Sequence, residues 1–313
     1  MEAAQLGAQT RRPRFRRASE PPAFRLTDAD IEIVRQVARH RFIGSGEIAA
    51  LINRSIDRTN DRLMRLYHAG YVDRPRAQLD RFPTAGSGRI IYALADRGAR
   101  LLATSAQFGD ARLEWSRKNR EAGRPFIEHQ VKIVEFQVAL ERAVRAQPDV
   151  RLVDAAELLA DAPEETRSPF ALHAKLARQG VQQLVSVIPD FAFGLRFPDN
   201  SRRCFMVEID RGTMPVCRSR LDQTSFERKM RGYLTAHAMR EHERQLGWKT
   251  FRVLTISTDS QRVRSMIDAA RRLHIPGSPG ASLFLFATFA DLNATSVFAH
   301  RWQDGLNRSI TLI

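Results

Sequence analysis

Three carboxylates, Asp190, Glu208 and Asp210, interrupt two apolar-rich runs in the stretch VSVIPDFAFGLRFPDNSRRCFMVEIDR, Val185 to Arg211. A turn-forming centre, Pro198-Asp199-Asn200-Ser201, separates the runs, and the pattern predicts a β-hairpin. A turn centred near position 200 sets position 190 across from about 210. The three acids share one parity and side chains alternate faces along a strand, so all three are expected on one side of the sheet. Carboxylates crowded on one buried face repel one another unless a cation, a basic side chain or water compensates. No other stretch is as good a candidate for chemistry.

Other chemistries lack their motifs. There is no GxSxG, no HExxH and no P-loop, so neither triad-type nucleophilic catalysis nor ATP hydrolysis is expected. The two cysteines, Cys204 and Cys217, have neither CxxC spacing nor nearby histidines, which argues against zinc and for reduced thiols in the cytoplasm. Cys204 reads as ordinary strand filling.

The 313 residues, 43% of them hydrophobic, suffice for two domains with real cores. The formal net charge of +15 points first to nucleic acid, then to an anionic membrane surface, against the plain alternative of a solvated basic face. No apolar run reaches the roughly 18 residues of a membrane span. The start, MEAAQLGAQTRRPRFRR, has no apolar core after its charges and does not read as a secretory signal. Residues 1–24 are expected to be a disordered basic arm. Its Arg14 and Arg16 flank Phe15 and are candidates for phosphate or minor-groove contacts, the alternative being a solubilising tail.

Residues 25–106 read as helices with a β-wing. Thr27 is an N-cap candidate before Asp28, Asp30 and Glu32, with Ile31, Val34 and Val37 at helical spacing. A short helix is expected over Glu47 to Ile52 and a third from Ser55 to His68, with Gly70 as its stop. Ile56, Leu63, Met64 and Tyr67 are read as the third helix's buried stripe. Arg58, Arg62 and Arg65 fall largely on its other side. Tyr71 to Arg74, a polar loop, Arg89 to Leu94 and a helix from Asp96 or Arg97 complete the unit. This order resembles the winged helix-turn-helix DNA-binding domain. On that resemblance the third helix enters the major groove of double-stranded DNA. Arg58, Thr59, Arg62 and Arg65 are its candidate contacts, with Arg81 and Arg89 on the wing.

Residues 107–124 read as a linker, and 125–313 as a second domain. It opens on a long helix from Pro125, which suits a first helical position. Residues 148–184 suggest one strand and a short helix, with APEETRSPFALHAKLARQG as a loop or insertion. The hairpin follows, then a helix over about Leu221 to Arg240 carrying Lys229 and Tyr233, a strand at Phe251 to Ile256, a helix at Gln261 to Leu273 and a strand at Ser282 to Phe289. A mixed sheet with helices on both faces accounts for this order, so the fold class is α/β (α+β).

Pro189-Asp190 opening one strand and Glu208-Ile209-Asp210 closing the next resemble the PD-(D/E)xK nuclease-like fold. More narrowly, the whole layout resembles the replication-relaxation family of bacterial plasmids and mobile elements. The matching residues are Pro189-Asp190, Glu208-Ile209-Asp210-Arg211-Gly212-Thr213, and Lys229 with Tyr233, within about residues 26–290. The nuclease resemblance implies Mg2+ or Mn2+ held by Asp190, Glu208 and the Ile209 carbonyl, with a lysine two residues after the Glu. Here that position is Asp210. Either Lys229 supplies the ammonium from the following helix, or Asp210 joins the metal ligands, with Glu128 or Glu135 as further carboxylates. The alternative is a scaffold that does not cut, its acids paired with Arg211, Lys229 or Arg252.

The leading expectation is a DNA-binding accessory or regulatory protein of a plasmid, phage or integrative element, acting in replication, relaxation or transfer. Its expected partners are double-stranded DNA, replication or relaxase proteins and a second copy in a homodimer, with no membrane. A Mg2+- or Mn2+-dependent nickase or endonuclease is the alternative, with Asp190, Glu208, Asp210 and Lys229 as its catalytic set. A transcriptional repressor is the third reading.

Overall fold

The computed structural model describes residues 14–21, 23, 25–81, 89–103, 118–163, 168–178, 181–218, 223–273 and 279–313. They divide into two compact units, Met1–Val138 and Ala139–Ile313. The boundary expected at residue 125 falls at the start of a long helix, whereas the units divide within that helix. The expected linker lies largely outside the described residues. Among the described residues no helix is long and apolar enough to cross a membrane.

In the first unit, helix α1 (Asp28–His40) begins where Thr27 donates both its N–H and its hydroxyl to Asp30 Oδ2, at 2.8 and 2.7 Å. Strand β1 (Ile43–Gly44), helices α2 (Ser45–Leu51) and α3 (Ile56–His68), strands β2 (Val72–Asp73) and β3 (Ile91–Leu94) and helix α4 (Asp96–Ala103) follow. A 3-10 turn, Arg76–Arg81, leads into the rest of the expected wing loop, which lies outside the described residues. The strands form an antiparallel sheet in the order β1-β3-β2. Ile33, Val37, Ile48, Leu63, Leu66, Tyr92 and Leu102 fill the core, joined by Val134 and Val138 of helix α5 (Arg124–Arg145).

Two expectations for this unit change. Residues 14–18 are not a disordered arm but lie against α3. Arg17 donates to the Tyr67 and Val72 carbonyls at 2.9 and 3.2 Å, Ala18 N–H to His68 Nδ1 at 3.0 Å, and Arg74 to the Arg14 carbonyl at 2.6 Å. A guanidinium among the last carbonyls of a helix is favoured by their partial negative charge. The buried stripe of α3 is also rotated from the expected one. Thr59, Leu63, Leu66, Tyr67 and His68 are buried, while Ile56 is 41% exposed. Asp30, fully buried on α1, turns the helix by drawing Arg62 inward.

The second unit is built on a seven-stranded sheet in the order β12-β11-β10-β9-β8-β7-β4. Its strands are β4 (Arg151–Val153), β7 (Phe191–Arg196), β8 (Arg202–Ile209), β9 (Arg252–Ser257), β10 (Phe284–Thr288), β11 (Trp302–Asp304) and β12 (Ser309–Ile310). β8, β9 and β10 run parallel and the remaining pairs are antiparallel. Parallel neighbours need crossovers. Helices α7 (Phe226–Ala238) and α8 (Glu241–Leu246) lie between β8 and β9, and α9 (Ser260–Arg272) between β9 and β10. A one-turn helix α6 (Ala155–Leu158) follows β4, and α10 (Phe289–Ala294) follows β10. Both crossovers step the same way along the sheet, and right-handed connections then place both helices on one face. Met230, Tyr233 and Ala236 of α7 and Val263, Met266 and Ile267 of α9 accordingly share one core with Met206, Val253, Phe284 and Phe286.

The region read as a loop or insertion carries a further strand, β5 (Leu172–Arg178), which pairs antiparallel with β6 (Val181–Val187) just beyond it. β6 ends before Pro189, which has no N–H to give a ladder, so the apolar run from Val185 splits between two sheets. Leu172, Ala174, Val185 and Val187 turn into the core beside α7. Gly232 permits that approach, since a Cβ there would stand 2.5 Å from Val187 Cγ1.

One buried histidine makes the first unit sensitive to mild acid. His40 is 6% exposed and its Nδ1 lies 3.2 Å from Gln137 Oε1, which fits a neutral ring donating from Nδ1. Burial, reinforced by Arg39 and opposed by Gln137, pushes its pKa from 6.5 down to about 4. The unfolded chain therefore binds a proton that the folded unit refuses. The stabilisation from keeping His40 neutral is complete above pH 6.5 and is lost as pH falls towards 4, by up to about 3 kcal/mol. Urea unfolding at pH 7 and pH 5 is expected to show that fall in the wild type and a flatter profile in His40→Gln. Equal slopes in the two proteins would refute the assignment.

Candidate functional site

The β7–β8 hairpin pairs Phe191 with Val207, Phe193 with Phe205 and Arg196 with Arg202. Its three-residue loop, Pro198-Asp199-Asn200, closes with Asn200 at φ 61° and Asp199 Oδ1 accepting from Ser201 N–H at 2.9 Å. The turn is therefore centred on 199 rather than 200, and position 190 faces 208 rather than 210. Asp190 N–H donates to the Val207 carbonyl at 2.9 Å, and Asp190 Oδ2 accepts from Ile209 N–H at 2.6 Å. The carboxylate thus takes the place of a ladder acceptor just beyond Pro189.

Glu208 stands on the face covered by α7 and is 3% exposed. Lys229 and Tyr233, one helical turn apart and so on one side of α7, grip its two oxygens. Lys229 Nζ donates to Oε2 at 2.5 Å and Tyr233 OH to Oε1 at 2.7 Å. Burial pushes the Glu208 carboxyl up, against the pull of Lys229. Burial also works against the Lys229 ammonium, but Glu208, assisted by Asp190 and Asp210, outweighs it and raises the lysine's pKa. Asp190, Glu208 and Lys229 therefore meet at one end of the sheet.

Asp210 has another partner. It is 7% exposed, takes the Ser257 hydroxyl at 2.7 Å and is clamped on both oxygens by Arg262 of α9, with Nη2 to Oδ1 at 2.7 Å. The same guanidinium reaches the Met214 carbonyl and so ties down the loop that leaves β8. Gly212, at φ +76°, makes the bend, and its N–H reaches Asp210 Oδ1 at 3.3 Å. The acid standing where a lysine was expected thus forms a buried ion pair. Glu128 and Glu135 lie in the first unit and pair within α5, with Arg124 at 2.8 Å and Lys132 at 2.6 Å.

Among the described residues no three His, Cys, Asp or Glu side chains group as metal ligands. A hard divalent cation collects six or more oxygens. Both oxygens of Glu208 are already engaged, one by an ammonium that competes directly with a cation. As arranged, both Glu208 oxygens are committed within the protein, and a cation would have to displace the Lys229 ammonium to reach them.

The basic residues of the first unit sort into ties and free groups. Thr59 is fully buried and donates its hydroxyl to the Ser55 carbonyl at 2.9 Å, which removes it from any groove contact. Arg62 turns away from solvent to buried Asp30, with Nε to Oδ1 at 2.7 Å, and also reaches the Arg25 carbonyl at 3.1 Å. Arg65 pairs with Asp61 at 3.0 Å. Arg58 and Arg16 are exposed. The Arg81 side chain lies outside the described residues. Arg89 is 72% exposed on a bond to Glu47. Arg89 and Arg14 line a groove of about 630 Å³ beside α2 and α3 with Arg54, Asn60, His68 and Arg74, and no acid is among its lining residues. Arg54 and Asn60 were not singled out in the sequence. Their signal is that neither belongs to the apolar stripe once Thr59 does.

Two sets of substitutions separate ties from free groups. Arg62→Ala strands the buried Asp30 carboxylate and is expected to cost about 3 kcal/mol, while Arg58→Ala leaves stability within about 0.5 kcal/mol. Lys229→Met likewise strands Glu208 at about 3 kcal/mol, and adding Glu208→Gln is expected to restore most of the loss. Denaturant unfolding of the single and double variants checks this. Strictly additive losses would mean that the pair is not coupled.

Residues 34–250 match the replication-relaxation family, and no curated protein matches the chain. The matched segment takes in α2, α3, the β7–β8 hairpin, Glu208 and Lys229, and covers more than half of the sequence. The chain belongs to the replication-relaxation family.

Proposed function

We propose that the protein is a DNA-binding accessory factor of a plasmid or other mobile element. The first unit grips duplex DNA in winged helix-turn-helix fashion. The second is a nuclease-like scaffold that does not cut and supports assembly with replication or relaxase proteins. The observation that carries the DNA reading is the groove edged by Arg14, Arg54 and Arg89 with Asn60 alongside. Its arginines attract phosphates, and Asn60 offers a donor and an acceptor to a base edge. The internal compensation of Glu208 by Lys229 and Tyr233 supports the non-cutting reading of the second unit.

Anisotropy titration of a labelled duplex over a range of salt concentrations tests both parts. Wild-type affinity is expected to fall steeply with salt through counterion release. Arg54→Ala with Arg89→Ala is expected to weaken binding at least tenfold and to lower the salt slope by about 2, near 1 per phosphate contact. Unchanged affinity would remove the groove from the interface. Supercoiled plasmid incubated with Mn2+ is expected to stay intact; nicking by the wild type that disappears in Asp190→Ala would overturn the scaffold reading.

A further inference from the structure

The second unit contains a basic cavity that neither the carboxylates nor the family match accounts for. Its volume is about 530 Å³, and it is lined by Arg203, Arg252, Ser309 and Thr311, with Phe205 and Leu285 as its apolar wall. Arg252 is the first residue of β9, and Arg203 lies near the start of β8. Glu208 and Asp210 stand at the far ends of the same run of sheet, so the two sites are separate.

The two arginines are held differently. Arg203 donates to the Leu312 carbonyl at 2.7 Å and its guanidinium lies over the Phe197 ring at 4.6 Å, a stacked and preorganised placement. The Arg252 side chain is half-buried and makes no hydrogen bond or ion pair among the described residues. The nearest acid, Asp304, is fully buried and committed to Arg308, whose Nε donates at 2.8 Å, and to the N–H groups of Leu306 and Arg308. Burial, together with Arg203 and Arg308, works against the Arg252 charge, with Asp304 a partial counterweight. A guanidinium that is partly withdrawn from water and has no protein partner keeps its donors open to an anion. An anion in the cavity would accept from both arginines and from the Ser309 hydroxyl.

We infer that this cavity is a binding site for a phosphate group, either free phosphate or a phosphodiester of nucleic acid, with Arg252 as its principal ligand. Paired guanidiniums suit the tetrahedral oxyanion because each offers a planar fork of donors. Thr311 closes the rim by donating its hydroxyl to the Ile313 carbonyl at 2.8 Å, so residues 309–313 form one wall. The site needs nothing from the groove of the first unit.

Isothermal titration of the full chain with inorganic phosphate, against chloride at equal ionic strength, tests the free-ligand form. Wild type is expected to bind and Arg252→Gln to bind at least tenfold more weakly. If phosphate is inert, the nucleic-acid form predicts that Arg252→Gln lowers the salt slope of duplex binding by about 1. That measurement is repeated in the Arg54→Ala, Arg89→Ala background, so failure of the first unit's groove is distinguishable from failure of this site. The ligand-free melting temperature of Arg252→Gln is expected to equal or exceed that of the wild type, because a binding residue is held at the expense of stability. A lower melting temperature would mark Arg252 as structural and overturn the inference. So would an unchanged response in both titrations.

Discussion

A carboxylate taken out of water must be answered by a cation or by hydrogen-bond donors, and the second unit is arranged around one such demand. Glu208 sits where β8 passes beneath α7, and only an ammonium and a phenol from that helix make its position tolerable. The demand fixes the rotation of α7, because Lys229 and Tyr233 have to share one side. It thereby fixes which residues of α7 meet β5 and β6. Gly232 then falls opposite Val187, where only a residue without Cβ can stand. The packing of the β5–β6 hairpin is in this sense downstream of one buried charge.

The same rule recurs and changes what the chain's excess of positive charge means. Asp30 with Arg62, Asp210 with Arg262 and Asp304 with Arg308 each pair an acid that is nearly or wholly buried with an arginine. Each such arginine spends part of its charge on an internal tie, however basic the sequence is. Arginines outside such pairs, among them Arg16, Arg54 and Arg58 on the first unit and Arg252 on the second, carry no such tie. A net charge of +15 says that polyanions are attracted.

Much of the fold was legible because its signals are local. Thr27 before three acids, Gly70 after a helical stripe and the Pro-Asp-Asn turn at 198–200 each depend on a few neighbouring residues, and the elements begin and end within a few residues of where they imply. What was hidden depends on partners distant in sequence. The face of α3 was misread because Arg62 is drawn inward by Asp30, which lies on another helix. β5 was read as part of a loop or insertion because its half-buried alternation, Leu172 and Ala174 in with His173 and Lys175 out, has meaning only against α7. The hairpin acids were placed two positions off in register, since a three-residue loop with an αL asparagine moves the centre by one residue and the partner of each position by two. The pairing of Asp210 with Arg262 had no local sign, because 52 positions separate the two residues.

The outer strands of the seven-stranded sheet have a consequence for behaviour in concentrated solution. β4 has three residues and β12 only two. An edge of that length offers an incoming strand very few unpaired backbone groups, too few to template a ladder against the loss of chain entropy. The long strands with continuous apolar faces, β8, β9 and β10, are all interior. The sheet therefore resists edge-to-edge growth into fibrils by the brevity of its margins.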